Sequence, residues 1–194
     1  MKTRIFNPFI HIAGMQAFLF GLAIAILSIA LGFIFNARFD GVIDLHYNDA
    51  VSIQEIIFDQ LNILISVTLC FYIAGKIFAK NNVRLIDILG TSAFARFPFL
   101  VLPLFNINQK MWLISEKMIQ SMLTNPESIE LETADIVYLI ISSFASLLAI
   151  IWYITLLFNA YKVSTNLKSG KLIGSFIGAL LLAEIISKIN VYLF

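Results

Sequence analysis

The sequence predicts an all-α, polytopic membrane protein of five transmembrane helices in a single domain, 1–194, and three observations predict it. The chain is 60% hydrophobic and 13% charged, about half the charge of an ordinary soluble domain, too little polarity for 194 residues to hide so much apolar surface from water. It contains five apolar stretches, each about the 20 residues a helix needs to cross a hydrocarbon core of about 30 Å. Basic residues crowd into alternate links between those stretches. No ten-residue alternating pattern of an outer-membrane barrel is present, so the spans are helices.

The spans are expected at 12–35, 56–75, 85–105, 136–158 and 172–194. Lys2 and Arg4 precede the first, but its apolar run exceeds the roughly 7–15 residues of a signal-peptide core, so it is read as a retained helix. Asn7-Pro8 reads as an N-cap followed by a first-turn proline. In the third span, Pro98 and Pro103 each remove a backbone donor and break the hydrogen-bond ladder. Between spans three and four, Met111, Ile114, Met118 and Met122 recur at helical spacing, with Trp112 alongside and Glu116 and Lys117 opposite. That pattern predicts a short interfacial helix at about 109–123, apolar side toward the bundle or bilayer. Asn125-Pro126 ends it, and Thr133 is placed to cap span four. The links 76–84 and 159–171 are short, so spans two and three, and spans four and five, are expected as antiparallel hairpins. Ala17, Gly21 and Ala25 in span one, and Gly170, Gly174 and Gly178 in span five, are spaced for close helix approach. Packing within the chain is the first expectation for these stripes and self-association the second.

Orientation follows from the links. With the N-terminus in the cytoplasm, the inner segments hold Lys2, Arg4, Lys76, Lys80, Arg84, Lys162, Lys168 and Lys171, whereas the outer segments hold only Arg38, Lys110 and Lys117. The opposite orientation would violate the positive-inside rule. Asp40, Asp44, Asp49, Glu55, Glu116, Glu127, Glu130, Glu132 and Asp135 all fall on the outer side, and the C-terminus ends there. Abundant Ile, Phe, Lys and Asn point to an AT-rich coding sequence and, with it, a bacterial inner membrane.

Charges within spans cost at least about 2.5–3.5 kcal/mol each unless they find partners or water. Asp59, Asp87, Arg96, Glu184 and Lys188 are the candidates. Counted from the inner face at about 1.5 Å per residue, Arg96 and Glu184 both lie about 17–18 Å deep, and Asp59 and Lys188 share a level nearer the outer surface. Two interhelical pairs are therefore expected, Arg96 with Glu184 and Asp59 with Lys188. Glu184 and Lys188 also stand in the favourable i,i+4 order. Asp87 sits near the inner surface. A structural role, fixing helix register, is preferred for these charges, and a proton or ion pathway is the alternative.

No catalytic, cofactor-binding or metal-binding set is visible. Cys70 is alone and cannot form an intrachain disulfide; His46 lies among Asp44 and Asp49 in a link read as solvated and acidic. The chain is read as not an enzyme, without a cofactor and without a nucleic-acid role. Its partners are the lipid bilayer and other membrane proteins or further copies of itself. The layout, with a third span that opens Leu85-Ile86-Asp87-Ile88-Leu89-Gly90-Thr91 and continues Ala95-Arg96-Phe97-Pro98, resembles the bacterial branch of the Yip family. Eukaryotic members of that family are five-span proteins of the early secretory pathway that bind Rab-type GTPases and affect trafficking and membrane shape. The resemblance implies a non-enzymatic protein that organises or recruits partners in the membrane, with Asp87, Gly90, Arg96 and Pro98 shaping the third helix. The alternative is a small transporter or channel-like subunit with a polar path at Arg96 and Glu184.

Overall fold

The structure, a computed structural model, describes residues 5–80, 82–124 and 131–193. Lys2, Arg4, Asn125-Pro126, Glu127, Glu130 and Phe194, which carry some of the expectations above, lie outside them. Five helices are long and apolar enough to cross a membrane, which makes this a multi-pass, all-α protein with a single two-stranded ribbon among the described residues. Span one is α1 (Gly14–Ile34), followed by the ribbon strands β1 (Ala37–Arg38) and β2 (His46–Tyr47). Span two is α2 (Ile53–Phe78), and span three begins with α3 (Leu85–Ala95) and continues from Phe97 as a 3-10 helix that leaves helical geometry at Asn106, Ile107 and Asn108, where the chain kinks before α4. A short helix, α4 (Lys110–Thr124), leads to span four, α5 (Thr133–Thr165), and span five, α6 (Ser169–Leu193). The link 35–52 and the short helix α4 share one end of the bundle, called here the long-link face; the connections between spans two and three and between spans four and five lie at the other.

The start of the chain differs from its expected form. Pro8–Ile10 is a separate 3-10 turn, Asn7 makes no capping bond, and α1 begins only at Gly14, whose φ is +57°. Likewise Glu132, not Thr133, occupies the N-cap of α5, without a side-chain cap.

Span three changes helix type where its prolines fall. Pro98 stands at the start of the 3-10 stretch and Pro103 inside it. A 3-10 helix rises about 2.0 Å per residue, so this stretch is longer and thinner than α-helix would be. Tyrosines of neighbouring elements tie down its far half, Tyr47 Oη donating to Leu102 O at 2.8 Å and Tyr138 Oη to Phe105 O at 2.8 Å.

Gly90 does not act at the kink. A Cβ there would stand 2.6 Å from Phe18 N and 2.9 Å from Phe18 Cα, and a Cβ on Gly21 would stand 2.6 Å from Ala93 Cβ. The two glycines let the backbones of α1 and α3 touch, so the small stripe of span one packs within the chain as expected. The stripe of span five does the opposite. A Cβ on Gly170, Gly174 or Gly178 would meet nothing within 4 Å, and all three residues are exposed. The helix instead buries Leu172, Phe176, Ala179 and Ala183, whose side chains supply the contact area that glycine lacks.

Spans four and five touch near their short link, where Phe176 packs against Phe158 and Tyr161 and Tyr161 Oη donates to Ser175 Oγ at 3.0 Å. They are not paired along their length. Toward the long-link face span five runs with span two instead, because Asn62 Nδ2 donates to Ser187 O at 2.7 Å and Asn190 Nδ2 to Asn62 Oδ1 at 2.8 Å. Amide bonds of this kind are worth most where no water competes. The helix α4 matches its expected range within a residue. It buries Ile114 and leaves Met122 exposed. It is anchored by Lys110 and Lys117, both ion-paired to the fully buried Asp135, the latter at 2.9 Å.

Candidate functional site

The residues that sequence reasoning placed as interhelical pairs meet at one locus, but through the link between spans one and two. Ala37 and Arg38 pair antiparallel with Tyr47 and His46. The turn between them carries Phe39, Val42 and Leu45, apolar enough to leave water. Phe39 and Val42 are buried, and Phe39 stacks on Phe99 of span three with centroids 5.9 Å apart and planes 7° off parallel. The link thus dips into the bundle between spans three and five. Irregular backbone at such a level is tolerated only where protein surrounds it or a polar cavity accepts it.

Arg96, at the junction of α3 and the 3-10 helix, is 2% exposed. Its guanidinium carbon lies 5.1, 5.4 and 5.8 Å from the ring centres of Phe39, Phe99 and Tyr153, a cage that stabilises a cation by its ring quadrupoles. Its Nη1 donates to the carbonyl of Val42 at 3.3 Å. On the other side of the link, the N–H of Ile43 donates to Glu184 Oε2 at 3.2 Å. Val42 C=O and Ile43 N–H belong to the same peptide group. Arg96 and Glu184 therefore do not touch. One peptide stands between them, its negative end toward the cation and its positive end toward the anion. The depth matching was sound; the pairing was not direct, because a link taken as solvated occupies the gap. Gly41 lies against the same carboxylate, where a Cβ would come within 2.6 Å of Glu184 Oε1 and push that side chain aside.

The second expected pair, Asp59 with Lys188, is not formed. Asp59 is 1% exposed and is held by the fork of Arg38, Nε to Oδ2 at 2.7 Å and Nη2 to Oδ1 at 2.9 Å. Arg38 Nη1 also reaches Glu55 Oε1 at 3.0 Å, while Glu55 closes a capping box with Ser52 at the start of α2. The hydrogen bonds and charge of Asp59 hold the Arg38 guanidinium above its usual range. Lys188 is ion-paired to Asp44, with Glu184 Oε1 3.9 Å away in the expected i,i+4 relation. Partial burial works to raise the Asp44 pKa, but the hydrogen bond and charge of Lys188 outweigh it and leave the carboxyl below its usual range. Both partners missed by sequence reasoning, Arg38 and Asp44, come from the link. The signal that could have found them is the alternation of Phe39, Val42 and Leu45 with charges, too apolar for a free loop.

The remaining candidates lie elsewhere. Asp87 is near the short-link end, 3.6 Å from Arg84 Nε, and its Oδ1 faces Gly14. Pro98 is buried beside Arg96 in sequence and sets the 3-10 turn. His46 Nδ1 lies 2.9 Å from Asp40 Oδ2, and Asp40, Asp44 and His46 bring one ligand atom each within 4.8 Å of one another. Asp40, not Asp49, completes that group, and the ammonium of Lys188 already occupies Asp44. Among the described residues of the locus, Asp40 Oδ1 and the Nε and Nη2 of Arg96 lack a well-aligned hydrogen bond, and the Tyr153 hydroxyl stands beside the Arg96 guanidinium.

No family model, no curated protein and no solved structure matches this chain.

Proposed function

We propose that this chain is a non-enzymatic, Yip-like integral membrane protein that organises or recruits partners in the inner membrane, with its N-terminus cytoplasmic and its long-link face outside. The observation that supports this reading is that the charges within the spans are closed inside the chain. Arg38 holds Asp59, Lys188 holds Asp44, and the Val42–Ile43 peptide joins Arg96 to Glu184. Arg96 also borders none of five clefts of about 340 to 670 Å³ on the described surface. Charges used in this way fix the register of spans two, three and five and need no substrate. The partners are other membrane proteins or further copies of the chain.

The second reading is a small transporter or channel-like subunit. It is favoured by the partly exposed Glu184 and by the buried Arg96 that the Val42–Ile43 peptide joins to it. Crosslinking in native membranes, followed by identification of the captured proteins, tests the first reading. Reproducible capture of one defined set of membrane proteins supports recruitment. Capture of nothing beyond abundant bystanders, together with solute flux in reconstituted vesicles that Arg96→Gln abolishes, replaces it with the second.

A further inference from the structure

The two ends of the bundle treat their cations differently. On the long-link face Arg38, Lys110, Lys117 and Lys188 each have a carboxylate within the chain. At the other end Arg84 lies 3.6 Å from Asp87, and Lys76 donates to Asn82 Oδ1 at 2.7 Å. The ammonium groups of Lys80, Lys162, Lys168 and Lys171 have no ion pair among the described residues, and residues 76–84 and 159–171 contain neither Asp nor Glu. The counter-charge for this end must come from outside the chain.

Three of those lysines border one cleft. Lys80, Lys168 and Lys171 line it together with Phe78, Asn166 and Leu167, and its volume is about 340 Å³, within the range of about 300–1,000 Å³ usual for small-ligand sites. The fold holds the lysines there. Asn166, with φ +54°, ends α5 in the left-handed region and its N–H bonds Lys162 O at 2.9 Å, which turns the chain. Leu167 and Leu172 are buried and pin the turn, so Lys168 and Lys171, three residues apart, stand on one side of the start of α6. Three like charges around a void repel one another, and an anion within it relieves that repulsion. The cleft also borders hydrocarbon. It lies where the apolar spans α2 and α6 end, and Ile77 and Ile173, within a turn of its lysines, are exposed. An anion that carries apolar chains matches both surfaces, whereas a soluble one matches only the lysines.

We propose that this cleft binds the head group of an anionic phospholipid, its phosphate among Lys80, Lys168 and Lys171 and its acyl chains on the exposed apolar sides of α2 and α6. Basic pockets between span ends are suited to such head groups, because each lysine adds attraction while the chains stay in the bilayer. Diffuse attraction between a basic protein end and an anionic membrane would depend on every cation of that end alike. A cleft depends on the three that line it. The proposal goes beyond the recruiting role and does not depend on it.

The test counts lipids bound to the protein by native mass spectrometry, in a non-ionic detergent titrated with phosphatidylglycerol, with zwitterionic phosphatidylcholine, or with glycerol 3-phosphate, which has the charge without the chains. The expected result is saturable binding of phosphatidylglycerol, at least about ten-fold tighter than phosphatidylcholine, and no comparable binding of glycerol 3-phosphate. Lys168→Gln with Lys171→Gln should weaken phosphatidylglycerol binding about 30-fold, from about five-fold for each lysine. Lys76→Gln with Arg84→Gln removes the same charge from the same end outside the cleft and should change binding by no more than about two-fold. Lys168→Arg with Lys171→Arg keeps both charges and should bind as the unsubstituted chain does, which separates loss of charge from loss of fold. Equal affinity for the two lipids overturns the proposal, and so does equal loss in the two glutamine pairs, which would reduce the effect to diffuse surface charge. Glycerol 3-phosphate bound as tightly as the lipid would make this a site for a soluble phosphate and overturn it too, as would loss of binding in the arginine pair.

Discussion

Exchanging the charges at 96 and 184 separates a bridged arrangement from a direct pair. Hydrogen bonds of 3.3 and 3.2 Å on either side of one peptide group put the two charges about 9 Å apart. At an effective dielectric of about 20 their attraction is then only ~2 kcal/mol, and most of the stabilisation lies in two charge-assisted hydrogen bonds of about 1.5–3 kcal/mol each. A direct ion pair survives exchange of its ends. A bridge does not, because a carboxylate at 96 would face the Val42 carbonyl and a cation at 184 would face the Ile43 N–H. Arg96→Glu with Glu184→Arg should therefore lose about 3–6 kcal/mol, a large share of a typical 5–15 kcal/mol total. Glu184→Gln, which can still accept from Ile43, should lose only about 2 kcal/mol. Reversible unfolding in mixed micelles of increasing SDS fraction measures all three. Recovery of the exchanged protein to within 1 kcal/mol of the unsubstituted chain, about the error of such a comparison, would refute the reasoning.

Other substitutions probe the surrounding contacts. Asp59 is buried against Arg38, so Arg38→Gln should cost about 3–5 kcal/mol by leaving a carboxylate alone. Glu55→Gln, at the exposed end of the same guanidinium, should cost about 1 kcal/mol or less; equal losses would show that the Asp59 contact is not the anchor. Gly90→Ala drives a methyl group into the Phe18 backbone and should destabilise by about 1–3 kcal/mol or more in the same SDS titration. Gly174→Ala meets open space and should leave the monomer unchanged or stabilise it by up to about 1 kcal/mol; the reverse ranking would exchange the roles of the two stripes. Because Asp44 is held below its usual range, its contribution is complete above the ordinary aspartate value of about 3.9 and is lost as pH falls through the lower folded value. In the SDS titration the unsubstituted protein and Asp44→Asn should therefore differ by the same amount at neutral and mildly acid pH and converge only in strong acid, and convergence already at pH 6 would contradict the Lys188 tether.

Much of this architecture was legible because a bilayer leaves few alternatives. Length and apolarity placed all five helices, although α5 runs on past its expected end at 158 to Thr165, and the Met-rich period located α4. The depth count brought Arg96 and Glu184 to one level correctly, since helix rise is invariant. Partner choice was not legible, because it depended on where the link 35–52 goes, and links are ordinarily at the surface. Here Phe39 and Val42 draw the link inward, and Arg38 and Asp44 follow, displacing the helix-to-helix pairs that spacing alone suggested. The glycines misled for a related reason. Spacing marks where close approach is possible, but Gly90 had a facing backbone and Gly170, Gly174 and Gly178 had none.

The bridge itself is open to one direct observation. In protein labelled with 15N at Ile43 and 13C at the Glu184 carboxyl, solid-state dipolar recoupling in lipid should report a contact that matches the 3.2 Å N–H to carboxylate hydrogen bond, and a second sample labelled with 15N at the Arg96 guanidinium and 13C at the Val42 carbonyl should report the contact on the other side of the peptide. Absence of both contacts, with Arg96 found directly on Glu184, would contradict it.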